Sequence, residues 1–296
     1  MLGLLLLNKP EGITSFGAVA RIKRLTGEKR VGHTGTLDPM ATGVLPILIG
    51  RATVLSQYLI DADKSYSATV KLGIATDTCD ITGNVTSKRD VNLFGLDIEA
   101  VLSGFTGKQM QTPPMFSAIK QNGVRMYELA RRGESVEIPA REIEVFSLLQ
   151  TSQINDEFEF DIDTTVSKGT YIRSLCRDIG EQLGCGATLT RLTRTKTAGF
   201  DIDKCVDLDD LTPDNIADYI LPCDLVVEYM PKVTVSEKQA VRFCNGGALS
   251  FDRIKSDKFI DNTLYRVYFG EKFLGLGISD TKENLLKIIC LVDRQV

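Results

Sequence analysis

The chain has 296 residues, 43% of them hydrophobic and 25% charged, with a formal net charge of −4. That length can bury a full core and leaves room for one large domain and a small one, and the composition excludes disordered and fibrous classes. The acidic balance argues against a generic polyphosphate binder, so a nucleic-acid partner would have to meet a local basic face.

Seven cysteines (Cys79, Cys176, Cys185, Cys205, Cys223, Cys244 and Cys290) are scattered without a C-x-x-C pair, and there is one histidine. A structural zinc site draws four Cys or His ligands at close spacing, so no metal is expected, and unpaired cysteines suit a reducing cytoplasm. The apolar opening Met1–Leu7 ends at Asn8-Lys9-Pro10, too short for a signal segment, and reads as a buried strand. No run of about eighteen apolar residues offers a bilayer span, so no membrane is expected.

Ser15 stands where an N-cap would open a helix whose Val19, Ile22 and Leu25 share a face, with Gly27 ending it. A glycine-rich loop, 32–43, follows. Val44–Ile49 reads as a buried strand, Ala52–Leu59 as a helix, and alternating Tyr66, Ala68, Val70 and Leu72 as a half-buried strand. Thr76–Gly83 is a polar acidic turn, Asp97–Leu102 a short helix running to Gly104, and Asn122-Gly123 a turn before a helix over Arg125–Arg132. Glu137–Gln150 and Glu157–Val166 alternate as strands, a helix covers Tyr171–Leu183, and Ala187–Thr197 returns as a strand. After Pro231 the texture changes to a capped helix, Ser236–Cys244, and short strands Leu264–Phe269, Phe273–Ile278 and Leu285–Leu291. Neighbouring strands able to form hairpins, mixed with helices, point to an α+β (mixed α/β) fold. A central, mainly antiparallel sheet is expected, divided near residue 230 from a small β-rich domain.

The string with most chemical content is Gly32-His33-Thr34-Gly35-Thr36-Leu37-Asp38-Pro39-Met40-Ala41-Thr42-Gly43. Its glycines permit positive φ or close approach to a ligand, and Pro39 stiffens the chain beside Asp38. By itself an aspartate in a loop is most often a turn residue. A phosphate-cradling loop needs Lys and Ser or Thr after its last glycine, but Val44-Leu45 follows, and no G-x-S-x-G string exists. What remains is a loop presenting one carboxylate and one imidazole. Basic clusters at Arg21–Arg30, at Arg125, Arg131 and Arg132, and at Arg191, Arg194 and Lys196 are, taken singly, ordinary solvated faces.

This loop, preceded by Asn8-Lys9-Pro10-x-Gly12-x-Thr14-Ser15, resembles the TruB family of pseudouridine synthases. Further blocks resemble the same family in the same order. They are Asp63-Lys64-Ser65-Tyr66, then Thr76-Asp77-Thr78-x-Asp80, then Gln111-x-Pro113-Pro114-x-Phe116-Ser117-Ala118-x-Lys120 with Ala130-Arg131. Ser167-Lys168-Gly169-Thr170-Tyr171-Ile172-Arg173 and Ala187-x-Leu189-x-x-Leu192-x-Arg194 follow. Each block is weak alone; ordered over most of residues 4–200 they are specific.

The resemblance implies conversion of uridine to pseudouridine at position 55 in the T loop of tRNA. It implies a catalytic domain over 1–230, with an RNA-gripping insertion at about 108–142, and a PUA-like RNA-binding module over 231–296. Asp38 would be the nucleophile, Arg173 the guanidinium that keeps it ionised, and Tyr66 the aromatic stacked on the target base. His33 would fill the gap left by the flipped base, and Tyr171 and Leu192 would line the uracil pocket. Lys9, Lys64, Lys120 and Arg131 would contact or position RNA, and Asp80 would either position RNA or serve a polar network. The reaction breaks C1′–N1, turns the base and joins C5 to C1′, whether the carboxylate attacks ribose, attacks base or assists a glycal. It is redox-neutral, so no cofactor is implied, and with no protein partner implied a monomer is expected. Two rivals stand beside this reading. A nucleic-acid glycosylase would use the same carboxylate and release free uracil. A noncatalytic RNA-binding chaperone is opposed by the joint presence of Asp38, Tyr66 and Arg173.

Overall fold

The two most apolar runs pair with each other. Gly3–Lys9 and Thr42–Ile49 lie antiparallel, Gly3 opposite Ile49 and Lys9 opposite Gly43, and Leu4, Leu5, Leu7, Leu45, Ile47 and Leu48 are wholly buried. Side chains of a strand alternate between faces, so burial at successive positions means that both faces are covered. Lys64–Leu72 behaves differently: Tyr66, Ala68, Val70 and Leu72 join the core while Ser65, Ser67 and Lys71 keep partial exposure. The computed structural model describes all residues except 61, 93, 95, 96, 118, 119, 122, 123, 127–137, 255–257 and 294–296, with backbone alone at 120, 121, 124 and 125.

These strands belong to a ten-stranded sheet. Its main path runs Val206–Asp207, Gly3–Lys9, Thr42–Ile49, Ala187–Thr197, Lys64–Leu72, Glu159–Val166, Arg141–Gln150 and Gly107–Gln111. Val31–His33 adds to Thr42–Ile49, and Phe200–Asp201 adds to Ala187–Thr197. Two of its pairings are parallel, Gly3–Lys9 with Val206–Asp207 and Thr42–Ile49 with Ala187–Thr197; the others are antiparallel. The expected mixed fold with a mainly antiparallel sheet is what forms.

Helices Ser15–Thr26 and Ile172–Gln182 cover one face, contributing Ala18, Val19 and Ile22 and then Ile172, Leu175, Cys176 and Ile179 to its core. On the other face Leu4, Leu6 and Leu48 pack against Val226, Val227 and Met230 and against Tyr268, Phe273 and Leu276 of a second sheet. That sheet has five strands, in the order Lys232–Thr234, Leu264–Phe269, Lys272–Asp280, Leu285–Leu291, Leu249–Ser250. Helix Glu237–Cys244 closes it, opened by a reciprocal capping box between Ser236 and Gln239, over a core that includes Val233, Phe243, Val267 and Leu274.

Three local expectations change. Thr14, not Ser15, caps the first helix by accepting from the Gly17 amide at 2.9 Å, which frees the Ser15 hydroxyl for the Asp38 loop. The helix expected over Ala52–Leu59 is a 3-10 segment, Gly50–Leu55, followed by one short helical turn, Gln57–Ile60. There Thr53 bonds the Gly50 carbonyl at 3.0 Å, and adjacent β-branched Thr53 and Val54 disfavour the wider helix. Arg125 lies in a small strand pair, Lys120–Gln121 with Val124–Arg125; the rest of the helix expected over Arg125–Arg132 lies almost wholly outside the described residues.

Candidate active site

Asp38 is presented by a loop that is bonded down on both sides. The Pro39 carbonyl accepts from the Gly12 amide at 2.8 Å, the Asp38 carbonyl from Ala41 N at 3.0 Å, and the Pro46 carbonyl from Thr34 N at 3.1 Å. Ser15 Oγ accepts from Leu37 N at 2.9 Å and donates to Leu37 O at 3.1 Å. With the Leu37 side chain 3% exposed in the core, its neighbour Asp38 is left facing a cleft of about 570 Å³.

The Arg173 Nε lies 2.9 Å from Asp38 Oδ2, the two side chains being 5% and 35% exposed. The rest of the guanidinium is committed elsewhere. Nη1 meets Asp80 Oδ2 at 3.4 Å and the Thr78 carbonyl at 3.1 Å, and Nη2 donates to the Phe116 carbonyl at 3.0 Å. A buried ion pair holds its geometry only when the remaining donors are satisfied, and here backbone carbonyls satisfy them. Burial pushes the Asp38 carboxyl above its ordinary range; Arg173 pulls it back, Asp80 pushes it further up and Lys9 pulls it down. Arg173 therefore opposes a shift that burial imposes and does not by itself set an ordinary carboxylate.

Tyr66, Tyr171, Leu192 and Lys64 share the cleft wall with Asp38 and Arg173. Tyr66 reaches it from the inner face of Lys64–Leu72, 8% exposed. Tyr171 is fixed through its backbone, where the Gln111 amide accepts from Tyr171 N at 2.8 Å and donates to Tyr171 O at 3.1 Å. The Arg141 guanidinium lies 4.8 Å from its ring centroid. Although the chain is acidic, the wall carries Lys64, Arg141, Lys168, Arg173 and Arg194 against Asp38 and Glu142, so the local field favours an anion.

Other expected site residues stand elsewhere. Asp80, 4% exposed, accepts from Thr78 Oγ1 at 2.9 Å and from Thr82 N and Oγ1 at 3.0 and 2.6 Å. It orients Arg173, which is the polar-network alternative for this residue. Lys9 is corrected: it is wholly buried, and its ammonium donates to Pro10 O at 2.7 Å, Ile13 O at 2.9 Å and Pro39 O at 3.4 Å. It clamps the chain beneath Asp38, where a phosphate has no approach. His33 lies in the strand opposite Ile47 and outside the cleft wall; burial, with Arg194 adding, lowers its pKa and keeps the ring neutral at pH 7. The side chains of Lys120 and Arg131 lie outside the described residues. Among the described residues no group of three or more His, Cys, Asp or Glu could hold a metal ion.

Burial lowers the Lys9 pKa to about 8, opposed by Asp38 and Glu11 and reinforced by Arg194. Between that value and its ordinary 10.5, the unfolded chain keeps a proton that the folded chain has released, so stability rises with pH across this window. In urea titrations at several pH values, the wild-type protein is expected to gain stability relative to Lys9→Met from pH 8 upward. A difference independent of pH would show that the buried ammonium titrates normally.

The N-terminal domain of TruB family pseudouridylate synthases matches residues 23–172 as a family model, and a tRNA pseudouridylate synthase B C-terminal domain matches 173–228. The chain belongs to the TruB family of pseudouridylate synthases. This TruB-family enzyme is 43% identical to the tRNA pseudouridine synthase B of Clostridium kluyveri over 289 residues, 97% of this chain and 99% of that one. With the tRNA pseudouridine synthase B of Clostridium tetani it shares 42% identity over 295 residues, 99% of this chain and 100% of that one. Its fold is similar to a chain of a solved Cbf5-Nop10-Gar1 complex, with a TM-score of 0.71 and 26% identity over 99% of this chain and 86% of that one. Three residues of the TruB-family site were not singled out in the sequence for the parts they play: Ser15 under Leu37, Gln111 behind Tyr171, and Arg194. Each lies inside one of the sequence blocks that resemble the family, which was the available signal.

Proposed function

We propose that the enzyme isomerises the uridine at position 55 of the tRNA T loop, with Asp38 as nucleophile. The observation that carries this reading is the Asp38–Arg173 pair at 2.9 Å, set in a cleft beside Tyr66 whose cationic side chains outnumber its anionic ones. Relatives named tRNA pseudouridine synthase B, alike over nearly their whole length, support tRNA as the substrate. A base inside a folded loop cannot reach this carboxylate, so the uridine is extruded into the cleft, stacks on Tyr66 and packs against Leu192. His33, neutral and flat, is taken to occupy the vacated position, and residues 231–296 to form a module that meets RNA beyond the loop.

The C1′–N1 bond breaks, the C5–C1′ bond forms, C5 loses its proton to solvent and N1 gains one. Tritium at C5 therefore reports turnover. Transcribed tRNA labelled at uridine C5 is expected to release one equivalent of tritium per molecule, and the same tRNA with cytidine at position 55 to release none. Equal release from both would overturn the T-loop assignment, while free uracil among the products would indicate hydrolysis.

A further inference from the structure

Arg194 is wholly buried and lies in the wall of the cleft, yet among the described residues no carboxylate lies within ion-pair distance of it. A buried guanidinium without a counter-ion is costly, and two backbone carbonyls offset part of that cost while Nη1 is left without a hydrogen-bond partner. They are unusually placed. Nε donates to Val44 O at 2.8 Å and Nη2 to Gly35 O at 3.1 Å, and these two carbonyls bracket residues 36–43, the segment that carries Asp38. The Arg194 backbone is also registered opposite Gly43 in the parallel pairing with Thr42–Ile49. Gly43 has φ +104, and a Cβ there would stand 2.2 Å from Arg194 O, so the strands approach more closely than any side chain would allow.

We propose that Arg194 is the positioning residue of the Asp38 loop, one rigid guanidinium fork spanning both of its ends and fixing where the carboxylate stands. The inference rests on Asp38 being the nucleophile. Planarity matters here: two donors in a fixed fork hold two carbonyls at a set separation, whereas an ammonium is a point donor on a flexible stem.

The test is single-turnover tritium release by Arg194→Lys with tRNA in excess of its dissociation constant, beside tRNA affinity by filter binding and hydrogen exchange of the 36–43 amides without RNA. Misplacement of a reacting group by about an ångström costs about a hundredfold in rate, so the rate is expected to fall about that far with affinity within about twofold of wild type. Exchange at 36–43 is expected to accelerate while the remaining sheet keeps its protection. Arg194→Gln, which buries no unpaired charge, serves if the lysine variant does not fold. A folded variant with wild-type rate and loop protection, a loss confined to tRNA affinity, or failure of both variants to fold would overturn the proposal. Should the wild-type enzyme release no tritium from tRNA, the functional reading falls while the exchange measurement still decides the role of Arg194.

Discussion

Asp38→Asn is expected to abolish tritium release while leaving a folded protein that binds tRNA. An amide keeps the size of the side chain but has no anionic oxygen, and loss of a nucleophile costs at least about a thousandfold in turnover. The fold should survive, because Arg173 retains Asp80 and the carbonyls of Thr78 and Phe116. The electrostatic sign points the same way. Burial raises the Asp38 pKa, so above its unfolded pKa the folded chain holds a proton more tightly, and stability falls as pH rises through that window. Removing the acid removes this cost at neutral pH. The measurements are single-turnover release, filter binding and urea unfolding; activity within tenfold of wild type would exclude Asp38 as nucleophile.

Arg173→Met is expected to damage both activity and stability, which separates it from Asp38→Asn. The substitution leaves Asp80, with a side chain 6% exposed, and Asp38 without their shared cation, and it strands two backbone carbonyls. Breaking a buried pair from one side costs about 3–5 kcal/mol, a large share of a typical domain's stability. With the opposing charge gone, the Asp38 carboxyl moves further up, so the acid limb of the pH–rate profile shifts to higher pH. At its optimum the rate is expected to fall about 10²–10³-fold, as when one preorganised donor is removed from a reacting centre. Arg173→Lys restores charge without the fork and should recover part of the stability and little of the rate. An unchanged acid limb would show that Arg173 does not tune the carboxylate.

Much of the fold was legible in local pattern. Alternation over Tyr66–Leu72, interrupted at buried Thr69, the unbroken apolar runs of Leu4–Leu7 and Val44–Ile49, and the glycine stop at Gly27 depend on neighbours close in sequence. The 3-10 turn at Gly50–Leu55 was misread because its helix-like spacing competes with a side-chain bond from Thr53 to the Gly50 carbonyl. Ser15 was misplaced for a related reason: two hydroxyl residues in succession can each cap a helix, and only the position of Leu37 decides which one is engaged elsewhere.

The order of motifs along the chain by itself determined the family, the mixed fold and the identity of Asp38, Tyr66 and Arg173 as residues to bring together. Charge type, however, does not say what a charge faces. Lys9 and Arg194 read as an RNA contact and a surface charge, Asp80 as either an RNA contact or part of a polar network, and packing turned each inward: Lys9 onto three carbonyls, Asp80 onto Arg173, Arg194 onto Gly35 and Val44. Their partners are brought close by sheet registers and helix packing, so desolvation and long-range pairing, which no local pattern encodes, decided where each of these charges stands.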